Sequence, residues 1–279
     1  MKTYLTTVLT TGLLAVLTFT SNAAAVTVSE TFDGTWPGTA ANGWSSPWVE
    51  TKGDGVALSA TIKNTAPLAG NGNYLAVSLS ATSANSATVN RAITEASSGI
   101  NTAAAYQITF DFRLDQDFTA NQQVFLYAAP GSSSVTSASV SWSIVGDTTN
   151  GWRLNNGNKN GSVIAQVKTN VAVTTGVIYS FTIDVDPSTR TWSASITSSA
   201  GDYTNTGDAF GFRTAADTMT SPKLSFGGTP GNATDATLNF SIDSVNITQV
   251  PEPARTALVW AGFGLLATII ITCGRRHHA

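Results

Sequence analysis

From Tyr106 to Leu114 the chain alternates without a break, with Tyr106, Ile108, Phe110, Phe112 and Leu114 on one parity and Gln107, Thr109, Asp111 and Arg113 on the other. Successive strand side chains point to opposite faces, so this stretch predicts a strand with one buried face. Wound as a helix, the same apolar residues would fall on opposite sides of the cylinder and build no single stripe. Tyr179, Phe181, Ile183 and Val185 repeat the pattern, Asp186-Pro187-Ser188-Thr189 supplies turn chemistry, and Trp192, Ala194 and Ile196 resume it. That is a hairpin. Further strands are predicted over 56–62, 74–79, 124–128, 140–145, 163–167, 223–226 and 238–247. In the last of these the apolar parity slips between Ile242 and Val245, which predicts a bulge at Asp243-Ser244.

Composition points the same way. The chain holds 42 threonines and 29 serines but only four glutamates, a bias toward strands and turns. Only 11% of residues are charged, 42% are hydrophobic and the formal net charge is −3, which excludes wholesale disorder. The Ser/Ala-rich stretches 80–87 and 132–139 are expected to be loops, and no internal repeat is evident. A dozen or so short strands, with no helical periodicity between the two ends, predict an all-β fold, an antiparallel jelly-roll sandwich.

The ends read differently. Lys2 precedes an apolar stretch from Leu5 to Phe19, followed by small residues at Ala23 and Ala25, which fits a signal peptide over 1–25 with cleavage before Val26. At the other end Val250-Pro251-Glu252-Pro253 leads into seventeen uncharged residues, 257–273, and then Arg275 and Arg276. At about 1.5 Å per residue that run reaches roughly 26 Å, close to a bilayer core, and the arginines should stay cytoplasmic. The expected organisation is a signal peptide, an exported sandwich over 26–249, and a tail over 250–279 with one transmembrane helix. Cys273 is the sole cysteine, so no intrachain disulfide forms.

Proline-rich signature, spanning helix and basic end, in that order, resemble a PEP-CTERM sorting signal. The resemblance implies an exosortase-type partner that recognises Pro251, Glu252 and Pro253 and cuts near them. It also implies an inner-membrane-anchored precursor that reaches the cell surface or matrix of an exopolysaccharide-making Gram-negative bacterium. The strand sequence from Tyr179 to Trp192, with Phe240 to Val245 as a closing strand, resembles the concanavalin A-like lectin/glucanase superfamily. Sandwiches of that type often fasten first and last strands with calcium. Glu30 and Asp33 near the body's start and Asp243 near its end are the candidate ligands.

What chemistry the body can do is bounded by what it lacks. Both histidines, His277 and His278, lie in the tail, so the body has no Ser-His-Asp triad, no cysteine nucleophile and no usual zinc set. Glucanases of the superfamily place two glutamates in a Glu-x-Asp-x-x-Glu pattern. Glu30, Glu50 and Glu95 are widely separated, and Asp111, Asp115 and Asp117 read as strand-end decoration rather than a catalytic pair. The expectation is a protein that is not an enzyme. The body carries ten Lys and Arg against sixteen Asp and Glu, a net of −6 with no basic stripe, which excludes nucleic acid as a partner. A polysaccharide partner is the stronger expectation. Trp44 and Trp48, in a Gly/Pro-rich segment with Trp36, and Trp152 after Asn150-Gly151 are the candidate sugar-stacking residues. The alternative for each is burial in the core, where Trp142 and Trp192 are expected. A purely structural surface protein without a ligand remains open, as does, more remotely, a glycoside-active enzyme.

Overall fold

The computed structural model describes residues 25–65, 68, 72–119, 121–129, 139–214, 223–231 and 236–250. The expected signal peptide except Ala25, the sorting motif Pro251-Glu252-Pro253 and the helix over 257–273 lie outside the described residues. Among the described residues no helix is long and apolar enough to cross a membrane. Val26–Val250 forms one compact unit.

Two antiparallel sheets face each other in a jelly-roll sandwich. Sheet A takes β13 (Tyr203–Thr204), β12 (Thr191–Ser198), β11 (Ile178–Asp186), β6 (Tyr106–Leu114), β16 (Ala236–Gln249), β4 (Tyr74–Ala81) and β3 (Val56–Lys63) in that order. The short strands β1 (Thr27–Glu30) and β14 (Phe210–Gly211) join β16 and β12. Sheet B runs β10 (Val163–Lys168), β9 (Gly151–Gly157), β8 (Trp142–Asp147), β7 (Gln123–Ala128), β15 (Lys223–Thr229), β5 (Ala87–Ala92) and β2 (Val49–Lys52). A four-residue helix, α1 (Glu95–Ser98), follows β5, capped by the Thr94 hydroxyl at its start and by Gly99 at φ 72° at its end.

The alternation predicted for β6 and β11 sets the core. Tyr106, Ile108, Phe110, Phe112 and Leu114 are all buried, and so are Tyr179, Phe181, Ile183 and Val185 beside them. Phe110 stacks on Phe181 at 5.0 Å between ring centres and meets Phe226 of sheet B edge-on at 5.0 Å. Rings from both sheets therefore interlock, an arrangement worth on the order of 1 kcal/mol per pair beyond simple burial. The β11–β12 hairpin turns where expected. Asp186 Oδ1 accepts from the Ser188 and Thr189 amides, and Arg190 adopts φ 55° to close the turn. The bulge forms too. Asp111 faces Asp243 and Thr109 faces Asn246, so β16 carries one extra residue there, with Ser244 at φ 53°.

Candidate functional site

The sandwich leaves two outward faces, and they differ in kind. On the outward face of sheet B, register aligns one residue per strand into a row crossing the whole sheet: Val49, Asn90, Ser225, Tyr127, Ser143, Asn155 and Gln166. Except for Val49, every side chain in it can form hydrogen bonds. Parity explains the placement, since Val89, Leu224, Leu126, Ile144 and Leu154, next to them in sequence, point into the core. The row is exposed at its ends, at Val49 and Gln166, and closed off from solvent in the middle, where Asn90, Ser225, Tyr127 and Ser143 are buried. Phe125 and Val145 on neighbouring positions form a second, small apolar cluster with Tyr127, separate from the core.

The two halves of the row are bonded unequally. Across β8, β9 and β10 the groups are chained. Asn155 Nδ2 donates to Ser143 Oγ at 2.8 Å, Gln166 Nε2 to Asn155 Oδ1 at 3.1 Å, and Arg153 Nη1 to Gln166 Oε1 at 2.6 Å. Arg153 also pairs with Asp147. Across β5, β15 and β7 the oxygens are left over. Thr88 Oγ1, Asn90 Oδ1, Ser225 Oγ and the Tyr127 hydroxyl are buried with no hydrogen-bond partner among the described residues. The Thr88 and Ser225 hydroxyls stand near enough to Tyr127 to offset part of the burial that pushes its phenol up, yet none reaches bonding geometry. Each such group left unpaired costs about 1–3 kcal/mol, so the four concentrate a stability cost beneath the middle of the row.

The tryptophans singled out in the sequence are not on that face. Trp44, Trp48 and Trp152 are 2%, 3% and 0% exposed and belong to the main core, so the expectation that their rings are free to stack on sugar is corrected. Trp152 is a β9 residue whose ring meets Phe112, Tyr179 and Phe181 of sheet A edge-on at 5.0–5.4 Å. Trp48 packs on Phe32, Trp36, Trp44 and Phe226. Energetics decide this. A buried indole removes about 200 Å² from water, roughly 5 kcal/mol, several times what one stacked ring gains at the surface. Trp142 and Trp192 are buried, as expected.

The three calcium candidates are not assembled as one set. β1 does pair with β16, Glu30 lying opposite Val245. Glu30, however, turns to Arg91, which it pairs with, while accepting from Trp48 Nε1 and the Phe32 amide. Asp33 accepts from Thr31 Oγ1 at 2.7 Å. Asp243 is buried, and burial, with the charges of Asp111 and Asp33, pushes its carboxyl up to about 6. Among the described residues no group of three or more His, Cys, Asp or Glu is placed to hold a metal ion.

The polar row was the feature that sequence reasoning missed. Its members sit on the polar parity of strands whose apolar parity was read correctly, and only the strand order aligns them.

No protein-family model and no curated protein matches the sequence. Solved structures do resemble the fold. A protein of unknown function from Shewanella oneidensis MR-1 superposes with a TM-score of 0.52 at 16% identity, over 85% of this chain and 91% of that one. Peanut lectin superposes at 0.46 and 14% identity, over 74% of this chain and all of that one. A carbohydrate esterase from the Shiga toxin-encoding bacteriophage phi24B gives 0.46 and 16%, over 82% of this chain and all of its own. What the first of these establishes is the sandwich fold that the strand register describes.

Proposed function

We propose that the 26–249 body is a non-catalytic carbohydrate-binding module, exported by the signal peptide and sorted through Pro251, Glu252 and Pro253 by an exosortase-type enzyme to the cell surface or matrix. The row of polar side chains across sheet B carries the binding half of this reading. Sugars offer a dense array of hydroxyls that both donate and accept, which the exposed Gln166 and the half-buried Asn155 and Arg153 at the open end of the row can meet. The row spans seven strands at about 4.8 Å spacing, so it suits a chain of sugars rather than one ring.

Polysaccharide pull-down with residues 26–250, a unit with its own core, tests the binding half. Retention by at least one glycan supports it. Absence of retention across a broad glycan set leaves a ligand-free structural role. Mass spectrometry of the extracellular fraction tests the sorting half. Peptides spanning Ala25 and Val26, or a tail continuing beyond Pro253, would count against it.

A further inference from the structure

Resting on that reading of the sheet B face, we propose that its ligand is an acidic polysaccharide, one that carries carboxylate groups. The argument is the segregation of charge between the two outward faces. Among the described residues, register places Arg153, Lys168 and Lys223 on the sheet B face with a single carboxylate, Asp147. The outward face of sheet A carries Asp111, Asp184, Asp186 and Asp243 against Arg113 and Lys63. In a body whose net charge is −6, one face is thus locally positive.

Lys223 is the centre of the argument. It lies two residues from Ser225 on the same parity of β15, at the edge of the unpaired patch, and is half-buried. Asp147 is already held by Arg153, and among the described residues no carboxylate pairs with Lys223. A partly desolvated ammonium with no counter-ion among the described residues gains most from an anion brought by a ligand, and burial lowers its pKa. The carboxylates of sheet A do not cancel this. The sheets are stacked about 10 Å apart, and with outward side chains on both sides the two charge sets lie further apart still. At physiological salt the Debye length is about 8 Å, so a ligand on sheet B feels Lys223, Lys168 and Arg153 and little of the opposite face.

Retention of residues 26–250 on immobilised polygalacturonate and on neutral dextran separates the outcomes. Stronger retention on polygalacturonate, weakened by added NaCl and reduced about fivefold or more in Lys223→Ala but not in Lys63→Ala, supports the proposal. Equal retention on both gels overturns the acidic ligand while leaving the carbohydrate reading standing. Equal losses in Lys63→Ala and Lys223→Ala overturn it as well, because the attraction then has no face. Failure to bind either gel or any neutral glycan overturns both readings. Lys223→Ala should fold normally, since among the described residues its ammonium makes no hydrogen bond or ion pair. A melting curve matching the parent, within about 2 °C by the usual stability scale, makes a binding loss attributable to charge.

Discussion

The guanidinium carbon of Arg91 stands 4.6 Å from the centre of the Trp44 ring, and Arg91 Nη1 donates to Glu30. Its Nε donates to the Ser46 carbonyl at 3.0 Å and its Nη2 to that of Thr39 at 2.7 Å. One buried cation on β5 thereby clasps the segment between β1 and β2, and the tryptophans of that segment close over it. Burial lowers its pKa only to about 10, so it remains charged at neutral pH.

Arg91→Ala should therefore cost about 3–5 kcal/mol, the range for breaking a buried ion pair and stranding its partner. Glu30 and two carbonyls would lose their donor together. Urea denaturation gives the free energy, and a red shift of tryptophan emission should accompany it. Arg91→Lys keeps the charge but not the planar fork, and should recover only part of the loss. A fully stable Arg91→Ala variant would mean the clasp is decoration.

Trp152 owes its place to a glycine across the β8–β9 ladder. A Cβ on Gly146 would come 2.8 Å from the Trp152 ring and 2.9 Å from the Val124 side chain. Gly146→Ala should destabilise by about 1–3 kcal/mol through overpacking, read from the denaturation midpoint at unchanged m-value. Binding measured below the transition should be unaffected, because Trp152 faces the core and not the sheet B row.

The acid side of the stability profile should carry the mark of Asp243. Its carboxyl titrates near 6 when folded, against about 3.9 unfolded, so between those values the folded state holds the extra proton. Stability then falls as pH rises through the window from about 4 to 6, and is flat above it as far as this group is concerned. Asp115, also raised by burial, acts in the same direction, whereas Asp186, whose pKa is lowered, contributes stability that is lost only below about pH 4. Asp243→Asn keeps an acceptor for the Ser244 amide, now at 2.6 Å, and removes the repulsion from Asp111 and Asp33. In a chelating buffer its melting temperature should exceed the parent's at pH 7 and match it near pH 4. A parent curve that rises between pH 4 and 6 would rule this out.

Sheet A was legible in the sequence because period two and turn chemistry are local signals. Tyr106 to Leu114, the Asp186 to Arg190 turn and the slip at Asp243-Ser244 each follow from adjacent residues. Sheet B was harder. β5 reads Ala87-Thr88-Val89-Asn90-Arg91-Ala92, and Arg91 on its core parity breaks the apolar pattern. The partners that let it be buried, Glu30, Thr39 and Ser46, lie about fifty or sixty residues away along the chain. β9, opening on Asn150-Gly151, looks like a loop until Trp152 is seen packed against sheet A. The Gly/Pro-rich segment around Trp44 gave no sign of being clasped. Polar positions such as Asn90, Ser225 and Tyr127 acquire meaning only from strand order, a long-range property that no single window contains.

Tyr127 offers the sharpest separation between a binding role and a structural one. Its hydroxyl is buried yet has no hydrogen-bond partner among the described residues, so Tyr127→Phe removes an unsatisfied group and keeps the ring that packs with Phe125 and Val145. Stability should be unchanged or raised by up to about 1 kcal/mol, since deleting an unpaired polar atom removes its desolvation cost. Because that hydroxyl is shut off from solvent, polysaccharide retention should be unchanged. Ser225→Ala, on the neighbouring strand in the same row, should behave alike. Thermal melts and retention measured on the same preparations read both quantities. A loss of stability in Tyr127→Phe would mean the hydroxyl has a protein partner, and a fall in retention at unchanged stability would mean that the middle of the row opens to a ligand.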